Sequence, residues 1–264
     1  MYGRHGGVAE RATSSTGFVL SVVNRSFAEL EPLLAQIVEV DAPAVVGVDT
    51  PRHPQCESAV QSSTRARCIT LQTSAFSMMA KFMMRLRSPF KYSLQLDSDT
   101  RICINPKQAL QHVSQMLEPA DVLARPVSTS VFGPESNYVP RLSVRFKPQG
   151  GVLAWKNTPE TMRAWRDAMR HYVRTRQSRW RDCNGRSLVS RSSRVFKQHC
   201  RGSEQDALAI ALREHRSNVS VARLPSFWNC KEPGREQIQC CSDGCAIDHH
   251  CAETMRSQTQ SGGN

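Results

Sequence analysis

Asp97 and Asp99 stand one residue apart at the end of the stretch Tyr92-Ser-Leu-Gln-Leu-Asp97-Ser-Asp99-Thr100. Residues 92–96 alternate in the manner of a strand, and side chains two apart on extended backbone project to the same side. Two carboxylates so placed offer hard oxygen ligands to Mn²⁺ or Mg²⁺, ions that keep coordination positions open for water and phosphate oxygens. The chemistry this permits is the gripping of a diphosphate through a divalent cation. Asp-Ser-Asp-Thr after a strand is also good turn and helix-capping sequence, so the pair alone does not choose between the two uses.

The elements that must position these carboxylates follow from the hydrophobic pattern. Residues 18–24 are β-branched and strand-like, and they precede a helix over 27–40 with Leu30, Leu33, Leu34 and Ile37 on one face. Ala44-Val-Val-Gly-Val48 is a continuous apolar run of the buried parallel kind, and it ends on Asp49. Phe76, Met79, Ala80, Met83, Met84 and Leu86 repeat at helical spacing over 74–87, and Pro89 stops that helix. With the strand ending at Asp97, this is βαβαβ, the pattern of a parallel sheet covered by helices. Ligands in such sheets bind beyond the carboxyl ends of the strands, where Asp49, Asp97 and Asp99 fall.

Further along, Asn105-Pro106 opens a helix over 105–117, 121–125 is a brief strand, and 132–140 is a Gly/Pro/Asn loop. Residues 150–155 form another strand, and Thr158-Pro-Glu-Thr161 opens a helix to about residue 174. Residues 176–202 hold Arg, Ser and Lys with few apolar anchors and read as a long basic loop able to close over a bound substrate. Ser203-Glu-Gln-Asp206 opens a helix through Glu214, with carboxylates in the first turn where the helix dipole favours them. The expected organisation is a flexible tail over 1–16, one domain over 17–250 with a basic insertion at 176–202, and a polar tail over 251–264.

At 264 residues the chain can bury one sizeable core. No apolar run approaches the roughly 20 residues that span a bilayer, and residues 1–16 lack the apolar centre of a signal peptide. The net charge of +12 implies an anionic partner, such as nucleic acid, a membrane surface or a phosphate-bearing substrate. The excess is concentrated between Arg163 and Arg201. Ten cysteines, half of them from Cys230 onward, point to disulfides and an oxidising compartment. The sequons at Asn24 and Asn218 are compatible with that compartment. Cys241, Cys245, His249 and Cys251 also offer four zinc ligands, although their spacing matches no strong zinc pattern.

The order of these pieces resembles the GT-A nucleotide-diphospho-sugar transferases over about residues 17–250. The resemblance rests on the opening strand, Val45-Val-Gly-Val-Asp49, Lys81 about four turns before the acidic motif, and Leu96-Asp-Ser-Asp-Thr100. Gln149-Gly150-Gly151-Val152, Glu204-Gln205-Asp206 and the late Ala246 to His250 complete it. It implies a mostly parallel sheet flanked by helices, a nucleotide-diphospho-sugar donor, and a glycan, protein or small-molecule acceptor. Mn²⁺ or Mg²⁺ would be held by Asp97, Asp99 and His249, the last preferred over His250. Asp49, Lys81, Asp97, Gly150 and Gly151 would meet the donor, and Glu204 and Asp206 would act on or orient the sugar, with retention favoured. Glu204 departs from the usual Asp. The resemblance also implies the lumen of the Golgi or endoplasmic reticulum.

Two rivals belong to other classes. A basic nucleic-acid-binding protein with a C-terminal zinc site explains the charge, but acidic residues at the ends of the strands would repel a polyanion. A catalytically inactive binding protein of the same fold is the other.

Overall fold

A computed structural model describes residues 15–23, 26–72, 77–126, 148–184, 204–228, 241 and 244–249. Its first half runs β1 (Thr16–Val22), α1 (Glu31–Glu39), β2 (Ala44–Val48), α2 (His53–Val60), β3 (Ala66–Thr70), α3 (Ser77–Arg87) and β4 (Tyr92–Leu96). The second half runs β5 (Thr100–Ile102), α4 (Pro106–Leu117), β6 (Val122–Pro126), β7 (Pro148–Lys156), α5 (Pro159–Asn184), α6 (Glu204–Glu214), β8 (Val221–Arg223) and β9 (Ile247–His249).

Seven strands form one sheet in the order β3-β2-β1-β4-β7-β6-β8. The pairs β1–β2, β1–β4, β2–β3 and β6–β8 are parallel, and β7 runs antiparallel to both β4 and β6. The sheet is therefore mostly parallel with helices on both faces, as the alternation of strand and helix patterns requires. Phe18, Leu20, Val46, Leu94 and Leu96 face one apolar layer, which contains Leu30, Leu33, Leu34 and Ile37 as well as Leu110, Val113 and Leu117 of α4. Val19, Val45, Leu153 and Trp155 face the other, against Phe82, Met84, Trp165, Tyr172, Leu208 and Leu212. On this second face α3 approaches β2 closely, because Gly47 carries no side chain: a Cβ there would meet Met84 Sδ and lie 2.7 Å from Leu71 Cδ1.

Helix starts follow their local chemistry. The Asn105 side chain accepts a hydrogen bond from Lys107 N at 2.9 Å with Pro106 in the first turn. Thr158 and Thr161 cap α5 reciprocally, each main-chain N–H donating to the other's hydroxyl at 3.2 and 3.0 Å.

Three expectations need correction. Residues 176–184 are helical, since α5 continues to Asn184 rather than ending near 174. Arg and Gln are good helix formers, neither Gly nor Pro intervenes before Gly185, and extending an existing helix needs no new nucleus. The remainder of the expected basic loop, 185–202, lies outside the described residues, as do residues 1–14 and 251–264 of the expected tails, the 132–140 loop, and Asn24 of the first sequon; Thr16 of the expected N-terminal tail begins β1.

Residues 50–72, to which the hydrophobic pattern assigned no element, hold α2 and the edge strand β3. Too few buried side chains mark them: only Cys56 and Val60 on α2, and Ala66 on β3. Other bonds fix them in place. Cys56 and Cys68 form a disulfide, and the Asp41 carboxylate accepts from Ser63 Oγ, Thr64 N, Thr64 Oγ1 and Arg65 N at 2.7–3.2 Å. Those bonds, Ser63 and Thr64 foremost, lower the Asp41 pKa to about 2.

The third correction concerns the acidic pair. β4 ends at Leu96, and Asp97 to Thr100 is a turn closed by Thr100 N and Oγ1 donating to Asp97 O at 3.2 and 2.7 Å. The two carboxylates therefore lie within one turn instead of sharing one side of an extended strand.

Candidate active site

The site lies at the carboxyl edge of the parallel strands. Asp49 follows β2 and Asp97 follows β4. β7 runs back antiparallel, so its beginning arrives at the same edge: Val152 pairs with Leu96, and Asp97 N donates to Gly151 O at 2.9 Å. Gly150 and Gly151 are thereby brought beside the acidic turn. β5 leaves that turn at Thr100 and pairs with β9, which sets the main chain of His249 opposite Thr100, one residue from Asp99. Residues nearly 150 apart in the chain are joined here by a three-rung ladder.

Beneath the turn is a buried network of charges. Lys81 on α3 pairs with Asp97 Oδ1 at 2.5 Å and stands 3.6 Å from Glu204 Oε2. One helical turn on, Arg85 pairs with Glu204 Oε1 and donates from Nε to Gln95 Oε1 at 2.8 Å. Arg85 is fully buried, its guanidinium carbon 5.1 Å from the Phe82 ring centroid and 5.7 Å from that of Trp165. Two cations thus face two anions, which is the condition for burying any of them without a large penalty. Burial disfavours the Lys81 charge, but the Asp97 and Glu204 carboxylates outweigh it and hold its pKa above the ordinary lysine value.

Each expected residue can now be placed. Lys81, Asp97, Glu204 and Gly150 are brought together, and Glu204 fills the space over Gly150, where a Cβ would lie 3.0 Å from Oε2. Asp99 is half-buried in the adjoining turn. Asp49 sits at the end of β2 and pairs with Arg52 at 2.5 Å. Asp206 lies in the first turn of α6, partly exposed. His249 is placed by its main chain, and His250 is outside the described residues.

Arg85 and Gln95 are the members the sequence reading missed. Their signal was present: a polar residue within β4 and, on α3, a cation four residues after Lys81 and so on the same face of the helix. β4 is buried on both faces, so its alternating polar positions do not meet water. Ser93 shares a hydrogen bond with Ser88 Oγ at 2.7 Å, and Gln95 is met by Arg85.

No protein-family model and no curated protein matches the sequence. Solved structures do. The glycosyltransferase GlyE of Streptococcus pneumoniae superposes with a TM-score of 0.51 at 13% identity, over 89% of this chain and 54% of that one. The bifunctional glycosyltransferase WbbM superposes with a TM-score of 0.51 at 13% identity, over 85% of this chain and 41% of that one. This is the GT-A glycosyltransferase fold. The chain spans about half the length of GlyE and less of WbbM. Mouse xyloside xylosyltransferase 1 aligns over 92% of this chain and 99% of its own, with 11% identity and a TM-score of 0.49.

In the GT-A frame the donor set suits a hard divalent cation, because Asp97 and Asp99 supply carboxylate oxygens within one four-residue turn. Among the described residues no three His, Cys, Asp or Glu side chains form a metal-ligating group. The zinc alternative loses a ligand, since Cys241 is bonded to Cys103. Among the described residues, no helix is long and apolar enough to cross a membrane.

Proposed function

We propose that the protein is a metal-dependent glycosyltransferase that moves a sugar from a nucleotide-diphospho-sugar to a glycan, protein or small-molecule acceptor, with retention at the anomeric carbon. The observation that carries the proposal is the acidic turn at the carboxyl edge of β4, backed by Lys81 and faced by the start of β7 and the main chain of His249. Mn²⁺ or Mg²⁺ held by Asp97, Asp99 and His249 would neutralise the diphosphate as the sugar–phosphate bond breaks.

The protein's own residues prepare that role. Lys81 fixes the orientation of Asp97, and Glu204 with Arg85 fixes Lys81 from behind. Both Glu204 oxygens face cations of the protein, so this carboxylate is an orienting group rather than one positioned to take a proton from an acceptor. With retention no carboxylate has to activate the acceptor as general base, and Asp206, in the first turn of α6, would orient the sugar. Gly150 leaves the room that Glu204 fills, and Gly151 gives its carbonyl oxygen to Asp97 N, so both glycines help to set the acidic turn that would meet the donor. The disulfides Cys56–Cys68 and Cys103–Cys241 are consistent with an oxidising lumen, the Golgi or endoplasmic reticulum in this proposal.

The test is a thermal-shift screen of sugar nucleotides with and without Mn²⁺. A ligand present at about 100 times its Kd stabilises the native state by roughly 2.7 kcal/mol. One donor should raise the melting temperature only with Mn²⁺, and Asp97→Ala and Asp99→Ala should each abolish that rise while remaining folded. Metal-dependent donor binding that survives in both variants would overturn the assignment.

A further inference from the structure

The strand that carries His249 is three residues long and follows Cys245, which is itself disulfide-bonded. β9 and β5 form a two-stranded ribbon of three residues each, separate from the main sheet, and isolated two-stranded ribbons are marginal in water. Ala246 and Ile247 are buried in the apolar layer below, which fixes the depth of the strand. The ladder then sets its register.

A covalent bond acts on the same ribbon. Cys103 directly follows β5 and is joined to Cys241, 138 residues away in sequence. Around that bond the two segments are stitched together. Cys103 N donates to Ala246 O at 2.9 Å, and Cys241 N donates to the Asp248 carboxylate at 3.2 Å. Ala246 N in turn donates to Phe227 O at 2.7 Å. The disulfide thus closes a ring containing the end of β5, Cys241 and Asp248, the residue adjacent to His249. Cys241 has φ +64, a conformation most side chains avoid, and the disulfide is one of the bonds that hold it there.

We propose that the Cys103–Cys241 disulfide is a positioning element of the donor site, holding β9 against β5 so that His249 stays beside the Asp97–Asp99 turn, and that opening it weakens divalent-cation binding there. The inference rests on the proposed donor-site function. Reduction by a dithiol breaks the Sγ–Sγ bond, leaves two thiols, and converts the dithiol to its own disulfide. Among the described contacts, the ladder, the Cys103 N to Ala246 O hydrogen bond and the buried side chains of β9 then remain between the two strands. Cys56–Cys68 serves as an internal control, because it ties α2 to edge strand β3 and has no part in the β5–β9 ribbon.

The experiment measures Mn²⁺ affinity by electron paramagnetic resonance for three proteins: the native chain, Cys103→Ser with Cys241→Ser, and Cys56→Ser with Cys68→Ser. Losing the support of a metal ligand costs about 10–100-fold in affinity, and that loss is expected for the first pair only. Equal affinity in all three proteins, or an equal loss in both paired variants, would overturn the proposal. Should the first pair fail to fold, limited reduction of the native chain replaces it. Mass spectrometry then reports which disulfide has opened, and hydrogen exchange follows the amides of Ile247–His249. Protection should disappear when Cys103–Cys241 opens, and amides that stay protected would refute the tether. A native chain that binds no Mn²⁺ would refute the donor-site function itself, with the exchange measurement still deciding whether the disulfide holds the strand.

Discussion

Replacing Arg85 by Met tests whether the buried charge network is the foundation of the site. The guanidinium is fully buried and joins three elements at once: Glu204 on α6 by an ion pair, Gln95 on β4 by a hydrogen bond, and the rings of Phe82 and Trp165 by stacking. Met keeps much of the apolar volume and removes the charge and the donors. Glu204 would then be left in the interior with Lys81 at 3.6 Å as its remaining cation among the described contacts, and Gln95 Oε1 would lose its donor. Removing one partner of a buried ion pair costs about 3–5 kcal/mol, and a chain of this size loses roughly 2–4 °C in Tm per kcal/mol. A decrease of order 10 °C follows, out of a total stability of about 5–15 kcal/mol. Urea unfolding followed by circular dichroism supplies the free energy, and an unchanged slope against urea shows that the extent of unfolding is the same. Arg85→Lys keeps the charge but not the planar fork, and should fall between the two. Combining Arg85→Met with Glu204→Leu removes both buried charges and should recover most of the loss, because an apolar pair often matches a buried ion pair in stability. A loss below about 1 kcal/mol for Arg85→Met, the range of an exposed pair, would refute the reasoning. So would a double variant worse than the sum of its single changes.

Two further outcomes follow from the geometry. The Asp41 pKa is lowered to about 2 from 3.8, so the stability its hydrogen bonds provide is present above about pH 4 and lost as pH falls toward 2. The difference in urea midpoint between the native chain and Asp41→Asn, in which Asn tolerates the φ of +46 at this position, should hold steady from pH 7 to 5 and shrink between pH 4 and 2; an undiminished difference at pH 2 would refute the assignment. Gly47→Ala places a methyl against Met84 Sδ and 2.7 Å from Leu71 Cδ1 in a strand buried on both faces. Overpacking of this kind costs about 1–3 kcal/mol, and an unchanged thermal midpoint would show that Met84 yields without penalty.

The layered sheet was legible in the sequence because its signals are local. The run at 44–48 is buried throughout, Leu30, Leu33, Leu34 and Ile37 fall on one buried face, and Asn105-Pro106 and Thr158-Pro159 cap the helices they announce. The acidic motif and Lys81 were legible as candidates for the same reason, since spacing along a strand or helix limits which side chains can meet. What the sequence could not supply is every contact that depends on pairing between distant segments. Glu204 read as a helix-capping acid or a catalytic one until α6 was packed on α5 and β7, which brings it within reach of Lys81 and Arg85. Arg85 carried no reading of its own until Phe82, Trp165 and the buried Gln95 closed around it. Asp97 and Asp99 kept their identities but changed geometry, because the hydrogen bonds from Thr100 to Asp97 O turn the chain where alternation alone would have extended it. Cys103 and Cys241 gave a count of cysteines, not a pairing. Local pattern fixes which face of each element is apolar. Only the assembled sheet decides which buried charges find one another, because an ion can be taken out of water only where a distant element brings its partner.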